Sequence, residues 1–198
     1  MLLISHIATP AFHDTPIVRA VERGYRLRLL IFGLGFIAAA AVLTSAGTSL
    51  VLPFLLAVNA SLWPGIARAF ALHGADPHAV ESRNLLIDSA MGGAWVALMQ
   101  FNLLPCALLT VVLGCGSAMA GGWSLLARGI VVQAAACVLT LALHGLTFAP
   151  DSSTLQILAC LPLLIAYPLT IALRARRREL AEAVTPAAGE LAGDTGIA

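Results

Sequence analysis

Five polar residues stand inside or at the edges of otherwise apolar segments, and theirs are the side chains that could do chemistry. They are Asn59, Gln100, Asn102, Gln133 and His144. Amide and imidazole groups donate and accept hydrogen bonds, and they are costly to leave unsatisfied in lipid. We therefore expect them to face the interior of a helix bundle. Two interpretations follow: hydrogen bonds between helices, or a small ligand site.

Catalytic motifs are missing from the sequence. It contains no Walker loop, no GxSxG, no HExxH and no dinucleotide fingerprint. The histidines are scattered, and the four cysteines lie in apolar stretches without a CxxC or a histidine at ligand spacing; they are Cys106, Cys115, Cys137 and Cys160. The sequence predicts buried free thiols, no catalytic residues, no metal site and no cofactor.

The amino-acid composition indicates whether these polar groups are surrounded by water or by lipid. The chain has 198 residues, of which 60% are hydrophobic and 11% are charged. A soluble domain is roughly one quarter charged, and a soluble fold of this size could not bury so much apolar surface. We therefore expect a lipid bilayer as the surrounding medium. The net charge of +1 gives no reason to expect nucleic acid as a partner.

Six apolar segments have about the length of a membrane-spanning helix. They lie at about 29–44, 49–66, 89–104, 105–120, 125–145 and 153–173. The third and fourth form a tight pair around FNLLP, and Pro105 suits the first turn of the fourth helix. The predicted fold class is an all-α membrane protein with six transmembrane helices.

The distribution of arginine predicts the orientation. If the N-terminus is cytoplasmic, all 11 basic residues lie before the first span, in loops 68–88 and 121–128, or after the last span. The outer loops then carry only Asp151. The positive-inside rule thus predicts a multi-pass protein of the inner (cytoplasmic) membrane, with both termini in the cytoplasm.

Three regions are expected along the chain. Residues 1–20 form a disordered lead-in, and residues 21–178 form a single six-helix domain. Residues 179–198 form a cytoplasmic tail, in which a short extension of the sixth helix ends at Thr185-Pro186 and a disordered remainder follows.

Local patterns predict packing and helix ends. Ser89, Gly93 and Ala97 line one face of the third helix and, like Gly35 in the first helix, should allow close backbone approach. Asp76 suits an N-cap with Pro77 at the first helical position. Trp63-Pro64 suggests an interfacial anchor followed by a helix end or kink.

One stretch resembles a known family. Residues 63–105, WPGIARAFALHGADPHAVESRNLLIDSAMGGAWVALMQFNLLP, are similar to the MASE2 domain, a bacterial membrane-associated sensor domain. The resemblance extends from RLRLLIFGLGF in the first helix to ILACLPLLIAYPL in the sixth. Gly65 and Cys106 depart from the family pattern, where His and Ser are usual, so no role is assigned to these two side chains.

The resemblance implies a function. MASE2 domains precede GGDEF diguanylate cyclase or class III adenylate cyclase domains, and no cyclase motif follows Arg178 in this sequence. We expect a non-catalytic sensor linked to cyclic-nucleotide signalling, which is either a stand-alone product or a truncated N-terminal part of a cyclase. Its expected partners are a small or lipophilic signal, a MASE2-containing cyclase or a second copy of itself.

The alternative function is a small transporter or channel. The absence of charges at span centres and of inverted repeats argues against it.

A further set of residues is expected to be structural. Those in the 68–88 loop should tie it to the base of the bundle through ion pairs with nearby arginines. The complete set is Trp63, Pro64, Asp76, Pro77, Glu81, Arg83, Asn84, Asp88, Ser89, Gly93 and Pro105.

Overall fold

The computed structural model describes residues 16–145 and 147–193. Its regular elements are all helices: α1 (Pro16–Ser45), α2 (Val51–His73), α3 (Pro77–Leu98), α4 (Leu103–His144) and α5 (Thr154–Gly193). The all-α prediction is therefore confirmed over this part of the chain. The fold divides into two compact units, one up to Cys160 and one from Leu161, and the second contains the rest of α5.

Helix α4 is interrupted by a glycine pair. Gly121 has φ −140° and ψ 17°, and Gly122 has φ 63° and ψ −156°, neither of which is helical. Glycine tolerates such a positive φ because it has no Cβ. A continuous helix of 42 residues would be about 63 Å long, roughly twice the hydrocarbon thickness of a bilayer.

The two halves of α4, residues 103–120 and 123–144, fold back on each other. The Gln133 Nε2 atom donates to Thr110 Oγ1 at 2.9 Å, and Gly129 lies against Ser117. These contacts are placed symmetrically about the glycine pair, so the halves run antiparallel. They correspond to the predicted segments 105–120 and 125–145, although the first half already begins at Leu103.

Several helix ends differ from the predictions. Helix α1 begins at Pro16, so residues 16–20 are helical rather than a disordered lead-in, while residues 1–15 lie outside the described residues. Helix α5 continues past Thr185-Pro186 to Gly193, so the predicted end of that helix is wrong. The neighbouring sequence is rich in alanine and glutamate, which are strong helix formers. Residues 194–198 are also outside the described residues.

Not every helix is an obvious membrane span. In the described residues, four helical segments are long and apolar enough to cross a bilayer: Val18–Ser45, Val51–His73, Leu103–His144 and Thr154–Leu173. Helix α3 is not among them, and it carries Glu81, Arg83 and Asp88.

The first unit is an antiparallel arrangement with two distinct polar ends. The start of α1 contacts the end of α2 and the start of α3, as the Arg68–Glu22 and Arg28–Glu81 ion pairs show. At the opposite end, Ser45 of α1 hydrogen-bonds Gln156 of α5. An apolar core lies between Asp88 and this opposite end, and its buried members are Ala39, Val42, Leu43, Leu56, Met99 and Cys106.

Candidate functional site

Arg28 is the centre of a charged network at the end of the first unit where α1 and α3 begin. Its side chain is only 6% exposed. The guanidinium Nε donates to Asp88 Oδ2 at 3.0 Å, and Nη2 donates to Glu81 Oε1 at 3.0 Å. A buried charge is tolerated only when it is paired and hydrogen-bonded, and here one arginine of α1 serves two carboxylates of α3.

Trp63 completes the environment of Asp88. Its indole N–H donates to Asp88 Oδ1, so both oxygens of the buried carboxylate accept a hydrogen bond. Trp63 is 7% exposed, which makes it a buried partner of Asp88, while its position at the membrane interface stays a prediction. Helix α2 also does not end at Pro64 but continues to His73.

Two further contacts tie α2 to its neighbours at the same end. Buried Asn84 donates from Nδ2 to the Ala67 carbonyl at 3.0 Å. Arg68 donates from Nε to Glu22 at 2.8 Å, and its guanidinium lies 5.5 Å from the centre of the Tyr25 ring. We call Arg28, Trp63, Glu81, Asn84 and Asp88 the inner network.

The start of α3 matches its local sequence. Asp76 is the N-cap and accepts from the backbone N–H groups of His78 and Ala79, with Pro77 in the first turn. As predicted, ion pairs hold the start of α3 to an arginine, which lies in α1. Arg83 itself is exposed and forms none of the ion pairs found among the described residues. The arginine that binds α3 is Arg28, which lies 60 positions before its partner Asp88 in the chain.

Small residues of α3 make its closest packing contact. A Cβ placed on Gly93 would collide with the Gln133 backbone carbonyl and also lie 3.1 Å from the Cys137 nitrogen. Ser89 is buried and donates to the Leu85 carbonyl. Gly35 differs, because a Cβ there would meet no atom within 4 Å; the expected close approach at Gly35 is therefore wrong.

A hydrogen-bonded clamp joins three segments at the opposite end of the first unit. Asn102 is 3% exposed and donates to the Asp151 carbonyl at 2.8 Å and to Gln156 Oε1 at 3.1 Å. Ser152 Oγ donates to Asn102 Oδ1 at 2.7 Å, and Gln156 Nε2 donates to Ser45 Oγ at 2.6 Å. We call Ser45, Asn102, Ser152 and Gln156 the outer clamp.

A cavity of about 40 Å³ lies among α1, α2, α3 and the first half of α4. Its lining is mostly apolar, with Phe32, Leu56, Trp95 and Leu109 among the contributors, and Asp88 reaches one side of it. Asn59 contributes an amide whose Nδ2 donates to Met91 Sδ at 3.1 Å. The Asn59 Oδ1 atom is buried and has no hydrogen-bond partner.

The five polar residues singled out in the sequence do not converge on one site. Asn59 lines the cavity, whereas Gln133 joins the two halves of α4. Asn102 belongs to the outer clamp. Gln100 lies in the same turn with φ 56°, where its carbonyl accepts from Ala149 N at 2.9 Å. His144 is exposed at the end of α4.

Sequence reasoning missed three residues that matter to these features. In the sequence, Arg28 does not differ from the other arginines before the first span, and Gln156 and Met91 belong to no predicted site. Gln156 stands three positions after Ser153, whose N–H donates to its Oε1 at 2.7 Å; this spacing is that of a capping box and could have drawn attention to it. The four cysteines are free thiols.

Part of the chain is similar to a known protein family. Residues 23–113 match the family model described as the MASE2 domain. The MASE2 resemblance is confirmed. Two relatives, from Escherichia coli K12 and Escherichia coli O6:H1, are each named probable diguanylate cyclase DgcC and are each 34% identical over 110 residues. The aligned part covers 56% of this chain and 30% of each relative. No solved structure matches the chain.

The MASE2 match is shorter than the resemblance expected from the sequence, which continued to the sixth helix. It nevertheless contains the whole inner network and every residue that lines the cavity, from Ile31 to Leu113. Gln133, His144 and Gln156 lie beyond it. Together with the four apolar helical segments, the match supports a membrane-associated region.

Proposed function

We propose that this chain acts as a non-catalytic sensor module of the inner membrane, which influences c-di-GMP levels through a MASE2-containing cyclase. The observation that carries the proposal is the position of the MASE2 match, because residues 23–113 include both the inner network and the cavity. The chain spans less than a third of the length of the two relatives, so a link to their activity is part of what we propose.

The topology that goes with this function has six spans and both termini in the cytoplasm. Three features support it. The break at Gly121-Gly122 divides α4 into two antiparallel halves. Helix α3, with 22 residues, is about 33 Å long and can cross a hydrocarbon core of about 30 Å. The arginine-containing inner network and the uncharged side chains of the outer clamp lie at opposite ends of the first unit.

In this topology the inner network is at the cytoplasmic side, where a signal from the membrane has to arrive. Arg28 connects α1 to α3 through Asp88 and Glu81, and Asp88 also lies at the cavity. A change in the cavity can therefore alter the relative positions of α1, α2 and α3 at their cytoplasmic ends. A MASE2-containing cyclase in the same membrane, or a second copy of the chain, is the proposed receiver.

Co-expression tests the function directly. The full chain is produced in a host together with a diguanylate cyclase that carries a MASE2 domain, and both co-purification in mild detergent and cellular c-di-GMP are measured. We expect the two proteins to co-purify and the c-di-GMP level to change. As a control, the same cyclase with an unrelated membrane anchor should neither co-purify nor respond. Absence of both effects with the MASE2-containing cyclase contradicts the proposal.

A further inference from the structure

The unpaired oxygen of Asn59 is an unusual atom in this molecule. Asn59 lies within an apolar stretch of α2, and its Oδ1 is buried without a partner. An acceptor left unsatisfied in a buried position forfeits the hydrogen bond that water would give it, and this loss is larger within a membrane, where water is scarce. A leucine at this position would not incur this loss of a hydrogen bond. The Asn59 Oδ1 atom can accept a hydrogen bond from a donor that the protein itself does not provide.

The orientation of the amide is determined by its neighbour. The Met91 sulfur lies 3.1 Å from the Asn59 nitrogen, and a thioether can only accept a hydrogen bond. The NH₂ group must therefore face Met91. The oxygen is then the atom left without a partner, and whatever completes the site must donate an N–H or O–H.

The charged group that lines the cavity, the Asp88 carboxylate, does not compete for such a donor. Asp88 already accepts from Arg28 Nε and from the Trp63 indole N–H, one on each carboxylate oxygen. Arg28 balances its charge, so the cavity offers no free anion to attract a metal ion or an ammonium group. The other contributors are mainly apolar and include Phe32, Leu56 and Leu109.

The size of the cavity restricts what enters it. Its volume of about 40 Å³ accommodates a small polar head and a short length of alkyl chain, and the cavity is not fully enclosed. A longer apolar chain would extend between the helices into lipid. An apolar molecule with one donor group satisfies both the lining and the unpaired oxygen.

We propose that this cavity binds the hydroxyl end of a lipophilic alcohol, with the O–H donating to Asn59 Oδ1. The inference deepens the proposed sensor function and rests on it for biological meaning. It names the chemical class of the signal and the atom that selects it. An alkane of equal length lacks the donor and is discriminated against.

Tryptophan fluorescence provides the test, because Trp95 lines the cavity. Trp123 is 85% exposed and is first replaced by phenylalanine to remove its emission. Trp63 is kept because its indole donates to Asp88, and it contributes background emission in both titrations. The full-length protein in lipid nanodiscs is titrated with bromooctanol that carries bromine on the carbon next to the hydroxyl-bearing one. The matched control probe is bromooctane. Bromine in contact with Trp95 quenches its emission.

We expect saturable quenching by bromooctanol and only gradual, unsaturated quenching by bromooctane. Asn59→Leu should weaken the apparent affinity for bromooctanol by about tenfold, the value of one hydrogen bond. This variant removes an unsatisfied group, so its thermal stability should be equal to or above that of the parent. Gly35→Leu adds volume at a lining position that has space for a Cβ and should also weaken binding while Asn59 is retained.

Equal quenching by both probes, or unchanged affinity in Asn59→Leu, overturns the inference. The assay contains no cyclase and measures only binding. Absence of alcohol binding together with a preserved effect on c-di-GMP therefore rejects the ligand class and leaves the proposed function standing. Alcohol binding without any effect on c-di-GMP rejects the proposed function instead.

Discussion

At the scale of single residues, Arg28 and Asp88 form the contact on which the inner end of the first unit depends. Both are almost completely buried, at 6% and 5% side-chain exposure. Replacing a buried pair by apolar side chains is often neutral, but removing one partner leaves an uncompensated charge. The pair therefore makes the structure sensitive to single substitutions more than it adds net stability.

Asp88→Ala should reduce the free energy of unfolding by about 3–5 kcal/mol, because Arg28 loses the more buried of its two carboxylate partners and the Trp63 N–H loses its acceptor. The folded yield, measured by size-exclusion chromatography after extraction from membranes, should fall accordingly. Arg83→Ala is the matched control on the same helix and should retain the parental yield, since Arg83 is exposed. Parental yield for Asp88→Ala would remove the structural role assigned to the inner network.

Asn102→Leu should lower the free energy of unfolding by about 2–3 kcal/mol, since it leaves several polar partners at the outer clamp unsatisfied. Thermal unfolding in detergent measures the change. Gln100→Leu is the control in the same turn, because the hydrogen bonds of Gln100 to Ala97 and Ala149 use its backbone atoms. If Asn102→Leu instead keeps its stability and loses signalling, Asn102 contacts the signal and is not a clamp.

At the scale of elements, close packing and helix breaks depend on glycine at particular places. Gly93 is pressed against the backbone of the second half of α4, and Gly122 has the positive φ that allows α4 to turn back. Gly35 has no such constraint. The same residue type therefore serves different purposes in α1, α3 and α4, and equal substitutions should give opposite results.

Gly93→Ala should destabilise the protein by about 1–3 kcal/mol, the usual cost of overpacking, because the added methyl group meets backbone atoms that cannot move aside. Gly35→Ala is the paired control and should stabilise α1 by up to about 1 kcal/mol through helix propensity. Thermal unfolding of both variants and of the parent in one detergent measures the two changes in stability. A stabilised Gly93→Ala variant would contradict the close approach of α3 to α4.

The sequence predicted the elements better than the contacts between them. Apolar length was sufficient to divide α4 into two segments, and Asp76 with Pro77 predicted the start of α3, because these signals are local. The arginine that pairs with Asp88 is 60 residues away in the chain, and the sequence does not distinguish Arg28 from the other arginines near the first span. The continuation of α2 beyond Pro64 was missed because a proline removes only one of many helical hydrogen bonds.

At the scale of the whole molecule, the six-span topology can be tested by reporter fusions. Alkaline phosphatase, which is active only outside the cytoplasm, is fused after Gly47, Ala75, Phe101, Gly122 or Phe148. We expect activity after Gly47, Phe101 and Phe148, and none after Ala75 and Gly122, because these two positions lie in the loops 68–88 and 121–128 that contain arginine in the full chain. Green fluorescent protein at the same positions is the control and should give the inverse pattern. Phosphatase activity after Gly122 would exclude the hairpin topology of α4.

The outer clamp also determines the order in which the molecule can be assembled during synthesis. The inner network needs nothing beyond Asp88, so it can form as soon as α3 has been synthesised. The hydrogen bond between Ser45 and Gln156 can form only after Gln156 has been synthesised, which is 111 residues later in the chain. At about 5–20 residues per second, this interval lasts roughly 6–22 s. The end of the first unit with the arginines is therefore joined early, and the opposite end is the last to close.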